Sequence, residues 1–246
     1  MKTVLMFTKD NEWCRIAREF VAQNFDAKFC IGNSKSDFDS IGYSRPYRIA
    51  FRNEKTDSDK RKYTTYDLFE VDYIISYLCP WIIPKEILEC AKIAAINFHP
   101  APPKYPGIGG YNFAIYNSDT EYGVTCHKMV ENVDSGEIIG VYTFPLYGDE
   151  TVKTLKERTM NTLLDLFYDV MEIILDSNKL EAGGYKWEHE PYTRKDLQQL
   201  CFIDWALWKD TAEGYDKQLR ATYFPNARDG PYIKINGKKW RLIPDD

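Results

Sequence analysis

The chain has 246 residues, 44% of them hydrophobic, which is enough for one large domain or one domain with an appendage. Its formal net charge is −5, whereas a nucleic-acid footprint is usually basic, so no nucleic-acid partner is expected. No run approaches the roughly 18 to 20 apolar residues that a membrane span needs, and the start, MKTVLMFTKDNEW, lacks the long apolar core and cleavage site of a leader.

In chain order, residues 3–8 read as a first strand. Asp10 or Asn11 is placed to cap a helix whose apolar positions are Trp13, Ile16, Ala17, Phe20 and Val21. Residues 28–31 form a short second strand. Residues 32–62 are polar and loop-like, with a candidate strand at 48–51. The apolar run VDYIISYL at 71–78 suits a buried central strand. Pro80 stops it, and Pro84 opens a short helix to about Ala91, at an early position that favours proline. Residues 93–98 are the next central strand. Residues 109–116 begin a helix, 122–129 and 138–145 are a strand pair, and 151–175 carry a helical apolar pattern. Further helix is expected at 195–209. Asn236–Gly237 between alternating runs signals a closing hairpin.

Strands alternating with helices imply an α/β fold with a Rossmann-like, mostly parallel sheet. A composition change near Glu181 divides the chain into residues 1–180, a catalytic domain, and 181–246, a small C-terminal helix plus β-hairpin module. The first βα turn has no GxGxxG and no phosphate loop is present, so neither a dinucleotide nor ATP is indicated. The six cysteines (14, 30, 79, 90, 126 and 201) lack CxxC spacing and read as reduced thiols of a cytoplasmic protein. Cys126 and His127, adjacent on a strand, point to opposite faces and make a poor chelate, so no metal is expected. The 18 tyrosines fit either packing or stacking on flat ligands.

The chemistry concentrates at the end of IAAINFHP. Asn97 and His99 lie two apart and so share a face where a strand runs out, the usual ligand position in open α/β sheets. Asp134 follows in VTCHKMVENVDSGEII. An amide donor suits a developing oxyanion, and an imidazole can donate or accept a proton. A carboxylate can orient the imidazole or position a water.

The Asn-x-His pair, the segment PPKYPGIGGYNFAIYN and the late Asp resemble the formyltransferases that use 10-formyltetrahydrofolate. The resemblance is strong over about residues 70–150 and weak before them. It implies Asn97, His99 and Asp134 as the catalytic set. It implies a folate wall of Leu78, Cys79, Pro80, Trp81, Ile82, Ile83 and Val133. Relatives acting on glycinamide ribonucleotide or methionyl-tRNA usually carry an SLLPKYRG-like stretch after the histidine. The form here, APPKYPGIGGYNFAIYN, is more similar to sugar N-formyltransferases. That implies a nucleotide-linked amino sugar as acceptor, such as dTDP-4-amino-4,6-dideoxyglucose or a 3-amino isomer, for surface polysaccharide. Acceptor-side candidates are Lys9 and Trp13, then Tyr105, Gly109, Gly110, Tyr111 and Asn112, then Tyr223, Phe224, Pro225 and Asn226. These sugar enzymes commonly dimerise, so a homodimer is expected. A glycinamide ribonucleotide-type transferase, a 10-formyltetrahydrofolate hydrolase and a non-catalytic folate-binding module are the alternatives.

Overall fold

The computed structural model describes residues 1–33, 71–177, 179–204 and 212–243. The candidate strand at 48–51 lies outside them. Strands β1 (Thr3–Thr8), β2 (Asp26–Ile31), β3 (Val71–Tyr77), β4 (Ala91–His99), β5 (Glu121–Lys128) and β6 (Ile138–Pro145) form one sheet in the order β2-β1-β3-β4-β5-β6. The β1–β2, β1–β3 and β3–β4 pairings are parallel, so the α/β, Rossmann-like expectation holds. Between the strands lie α1 (Glu12–Asn24), α2 (Lys85–Leu88) and α3 (Gly110–Tyr116). After them come α4 (Val152–Asp176), α5 (Arg194–Leu200) and α6 (Ala212–Thr222). A separate hairpin pairs β7 (Tyr232–Ile235) with β8 (Lys238–Arg241).

The chain divides into two compact units, neither continuous in sequence. The first comprises residues 1–99, 126–139 and 167–181; the second comprises 100–125, 140–166 and 182–246.

In the first unit the strands alternate burial between two faces. One face carries Leu5, Phe7, Cys30 and Ile74, packed with Trp81, Ile83 and Ile87. The other carries Tyr73, Ile75, Tyr77, Ile96 and Phe98, all buried. Phe167 of α4 stands edge-on or tilted against Tyr77, Phe98 and Phe20, with ring centroids 5.1 to 6.0 Å apart. Asn11 caps α1 by accepting from the Cys14 N–H at 2.9 Å, which settles the choice between Asp10 and Asn11. Lys2 Nζ donates to the Leu175 carbonyl at 2.9 Å and to that of Ile174, putting a cation on the C-terminal end of α4.

The second unit has its own core of Tyr105, Ala114, Ile115, Tyr122, Leu146, Val152, Leu155 and Ala221. Thr193 and Asp196 form a reciprocal cap on α5. Glu150, almost fully buried, is paired with Arg158, whose guanidinium lies over the rings of Phe144 and Tyr147.

Two helix ends and one whole helix differ from expectation. The helix after Pro84 ends at Leu88, because Val71 N–H binds the Cys90 carbonyl and Ala91 already pairs with Val71 in the sheet. Of the helix expected over 195–209, the described part ends at Leu200, and residues 205–209 lie outside the described residues. Backbone bonds from Tyr232 N–H to Cys201 O (2.9 Å) and from Ile203 N–H to Tyr232 O (2.8 Å) draw residues 201–203 out of it. Helix α6 was not expected at all. The hairpin is as anticipated: Asn236 (φ 50°) and Gly237 (φ 75°) supply the two left-handed residues of a tight turn.

Because Phe167 fills the junction of β3, β4 and α1, Phe167→Ala should cost about 3–5 kcal/mol of stability. Thermal and urea unfolding of the variant against the parent measure it.

Candidate active site

Strand order places β4 beside β5, and the site is built at their shared end within the first unit. In the β3–β4 register Ser76 pairs with Asn97 and Ile74 with Ala95. Asn97 and His99 therefore lie on the face that carries Leu5, Phe7 and Ile74. Beyond β5, residues 129–137 form a loop that leaves and returns at Lys128. Met129 N–H binds Ala95 O at 2.7 Å, and Lys128 N–H binds Glu137 O at 2.8 Å. The side chains of Lys128 and Glu137 are also paired. This return needs Gly136. A Cβ there would lie 1.9 Å from the Lys128 carbonyl oxygen, a distance no side chain tolerates.

The loop delivers Asp134 with φ at 43°, a left-handed conformation that Asp adopts more readily than most residues. Its carboxylate reaches two histidines at once. Oδ2 is 3.3 Å from His99 Nδ1, and Oδ1 is 3.2 Å from His127 Nε2. Asn97 Nδ2 lies 3.1 Å from His127 Nε2 and 3.5 Å from Asp134 Oδ1. His99, His127 and Asp134 are each buried. The expected trio is thus gathered in one place, and a fourth member, His127, joins it. Its signal in the sequence was its alternation with Cys126 on β5, seven residues before Asp134. In the sequence it stands out only as half of a poor metal chelate with Cys126. No cluster of three or more ligating side chains suited to a metal occurs among the described residues.

Such an arrangement can hold an amide N–H and a carboxylate-oriented imidazole at one strand end. That pair can stabilise an oxyanion and carry a proton.

The remaining candidates divide between the units. In the first, Trp81 and Ile83 are packed into the core, with Cys79 against it. Burial is the main cause that pushes the Cys79 thiol pKa up to about 12, so the thiol stays protonated at neutral pH. Ile82, 70% exposed, and Val133 present apolar surface to solvent. Leu78 has φ 54° one residue beyond the Tyr77–Phe98 pair, a strained geometry for an apolar side chain. Pro80 follows, partly exposed. Lys9 and Trp13 are half-buried, and the Lys9 carbonyl accepts from Arg18 at 2.7 Å.

In the second unit the two distant segments expected on the acceptor side come together. Asn112 Nδ2 donates to the Ala221 carbonyl at 2.7 Å, and Tyr111 and Phe224 pack on the same core as Tyr105. The Tyr105 hydroxyl donates to Asp119 at 2.6 Å; burial and that carboxylate raise its pKa. Gly109 precedes α3 and Gly110 opens it. Gly107 bridges Tyr192, with Ile108 N–H on Tyr192 O at 3.0 Å. Tyr223 is half-buried, while Pro225 and Asn226 are exposed.

A family model described as formyl transferase matches residues 2–171. A methionyl-tRNA formyltransferase of Lactobacillus gasseri is 27% identical over 176 residues, 70% of this chain and 53% of that protein. The match thus spans about half the length of that curated relative. Among solved structures, a sugar N-formyltransferase of a Shewanella species is similar at TM-score 0.71 and 23% identity, over 98% of this chain and 96% of that one. An N-formyltransferase of Helicobacter canadensis, in complex with folinic acid and dTDP-3-aminofucose, is similar at TM-score 0.66 and 21% identity, over 97% and 86%.

Gly136→Ala should leave the protein folded but displace Asp134, lowering kcat/KM on the order of 100-fold. Circular dichroism and steady-state rates on the same preparation check both halves.

Proposed function

We propose that this chain, which belongs to the formyl transferase family, transfers a formyl group from 10-formyltetrahydrofolate to the amine of a nucleotide-linked amino sugar. The observation that carries the chemistry is the Asn97, His99 and Asp134 cluster at the end of β4. In this reading the acceptor amine adds to the formyl carbon. The Asn97 N–H supports the resulting oxyanion, and His99, oriented by Asp134, takes the amine proton that ends on the folate nitrogen as the carbon–nitrogen bond breaks.

Two comparisons favour a sugar acceptor. Sugar N-formyltransferase structures align over nearly the whole of this chain, and the Helicobacter canadensis relative was crystallised with folinic acid and a dTDP-amino sugar. The folate would lie along Leu78–Ile83 and Val133, where Ile82 and Val133 offer apolar surface to a flat pterin. Segments 105–112 and 223–226 would hold the nucleotide sugar. Catalytic action in the cytoplasm, before export of the sugar into surface polysaccharide, completes the proposal. No described helix is long and apolar enough to cross a membrane. Methionyl-tRNA is the second reading, because curated relatives by sequence carry that name.

A panel of dTDP-linked 3- and 4-amino sugars, with methionyl-tRNA as the competing acceptor, is the test. Incubation with 10-formyltetrahydrofolate should add one formyl group to a sugar, and His99→Ala should slow it by about 10²–10⁴-fold. Formylation of methionyl-tRNA alone would overturn the sugar reading.

The hairpin supports a homodimer as the working form. Ile233 and Ile235 share one face with Trp240, the cross-strand partner of Ile233. Ile235 and Trp240 are 51% and 55% exposed, an apolar face that a second copy would cover. Trp240→Glu should convert a dimer to a monomer in light scattering; a dimer unchanged by it places the interface elsewhere.

A further inference from the structure

Within the second unit, residues 188–192 run back across the loop at 103–108. Three backbone bonds tie the two. Glu188 N–H meets Pro103 O at 3.1 Å, Tyr192 N–H meets Pro106 O at 2.9 Å, and Ile108 N–H meets Tyr192 O at 3.0 Å. The loop has little of its own to fix it. Gly107 and Gly109 both have φ at 85°, and glycine has the most backbone freedom to lose. Gly107 is also what lets the two backbones approach. A Cβ there would lie 2.3 Å from the Tyr192 oxygen and 2.7 Å from its nitrogen. The crossing segment is itself pinned by a ring. Tyr192 lies 4.1 Å from Phe113 of α3, and 4.3 Å from His189 with the two planes 8° apart. Ile108, tied through its N–H, keeps its side chain 38% exposed.

We propose that Tyr192 is a positioning residue for the acceptor: its ring, stacked between Phe113 and His189, keeps residues 188–192 on the 103–108 loop, and that contact sets the affinity of segment 105–112 for the molecule it binds. The inference rests on the reading that this segment holds the acceptor. A loop with two left-handed glycines has many conformations when untied, and ordering it on binding subtracts from affinity. Tied to Tyr192, it is ordered before the acceptor arrives. The size of the effect follows from the fraction of time for which the loop is competent. If release lowers that fraction to about a tenth, the acceptor binds about tenfold more weakly. The folate wall, Leu78–Ile83 with Val133, belongs to the first unit, so the donor should not share the loss.

Tyr192→Ala removes the ring and keeps every backbone group. Its KM for the acceptor should rise about tenfold, with kcat at saturating acceptor and the KM for 10-formyltetrahydrofolate nearly unchanged. Tyr192→Phe keeps the ring and should retain the parent's acceptor KM. Should the alanine variant fail to fold, Tyr192→Leu reads the same split. A contact that only stabilised the fold would lower the melting temperature and move both KM values together. Hydrogen exchange on the full-length protein reads the holding itself and needs no substrate. The Ile108 amide should exchange faster in Tyr192→Ala than in the parent, while the amides of β1 keep their rates. An Ile108 amide unchanged by the substitution overturns the inference, as do equal shifts in the two KM values. The split is measured on whichever acceptor the parent formylates. If that acceptor is methionyl-tRNA and its KM alone rises, the positioning role stands and the sugar assignment fails.

Discussion

The Asp134 carboxylate is the interaction on which the site depends. One oxygen meets His99 and the other meets His127 and Asn97, so three side chains from β4 and β5 are referred to a single group. A carboxylate buried among these partners is costly unless each lone pair finds a donor. That cost makes the geometry cooperative: moving any one partner leaves another unsatisfied. The loop that carries Asp134 is correspondingly over-determined. Its two ends are tied by backbone bonds at Lys128 and Met129, and Lys85 adds a charge contact to Glu131 at 3.9 Å. The left-handed backbone at Asp134 persists because the loop closure leaves it no alternative.

The parts of the fold visible in the sequence are those governed by local rules. Apolar runs of six to nine residues became the central strands, Asn11 became a cap, and Asn-Gly became a hairpin turn. The Asn97–His99 pair was legible because residues two apart on a strand share a face. His127 was not, because its role comes from strand adjacency and from the return of the 129–137 loop, both long-range pairings. The same reason explains α5. Its sequence continues helically, but the pairing of residues 201–203 with Tyr232 prevails. Local propensity is a weak prior once tertiary hydrogen bonds compete with it.

For several of the tyrosines the structure favours packing over a role in stacking on a ligand. Tyr105 and Tyr122 are buried and stacked on one another at 6.5 Å, and Tyr192 lies between Phe113 and His189 at 4.1 and 4.3 Å. Much of the aromatic excess therefore builds the second unit. Aromatic pairs of this kind contribute about 0.5–1.5 kcal/mol beyond their burial.

The discontinuity of the first unit has a consequence for biosynthesis. Its first strand is made well before its covering helix segment, which begins only at Phe167, and Lys2 is tied to residues 174 and 175. At about 5–20 residues per second, Val4–Phe7 waits roughly ten to thirty seconds on the ribosome before that cover exists. Through that interval a short, uncharged β-forming segment stands without that cover, although its strand partners β2 and β3 are made before it. The interval scales inversely with the rate of elongation, so slower synthesis lengthens the time for which that face of β1 stays open.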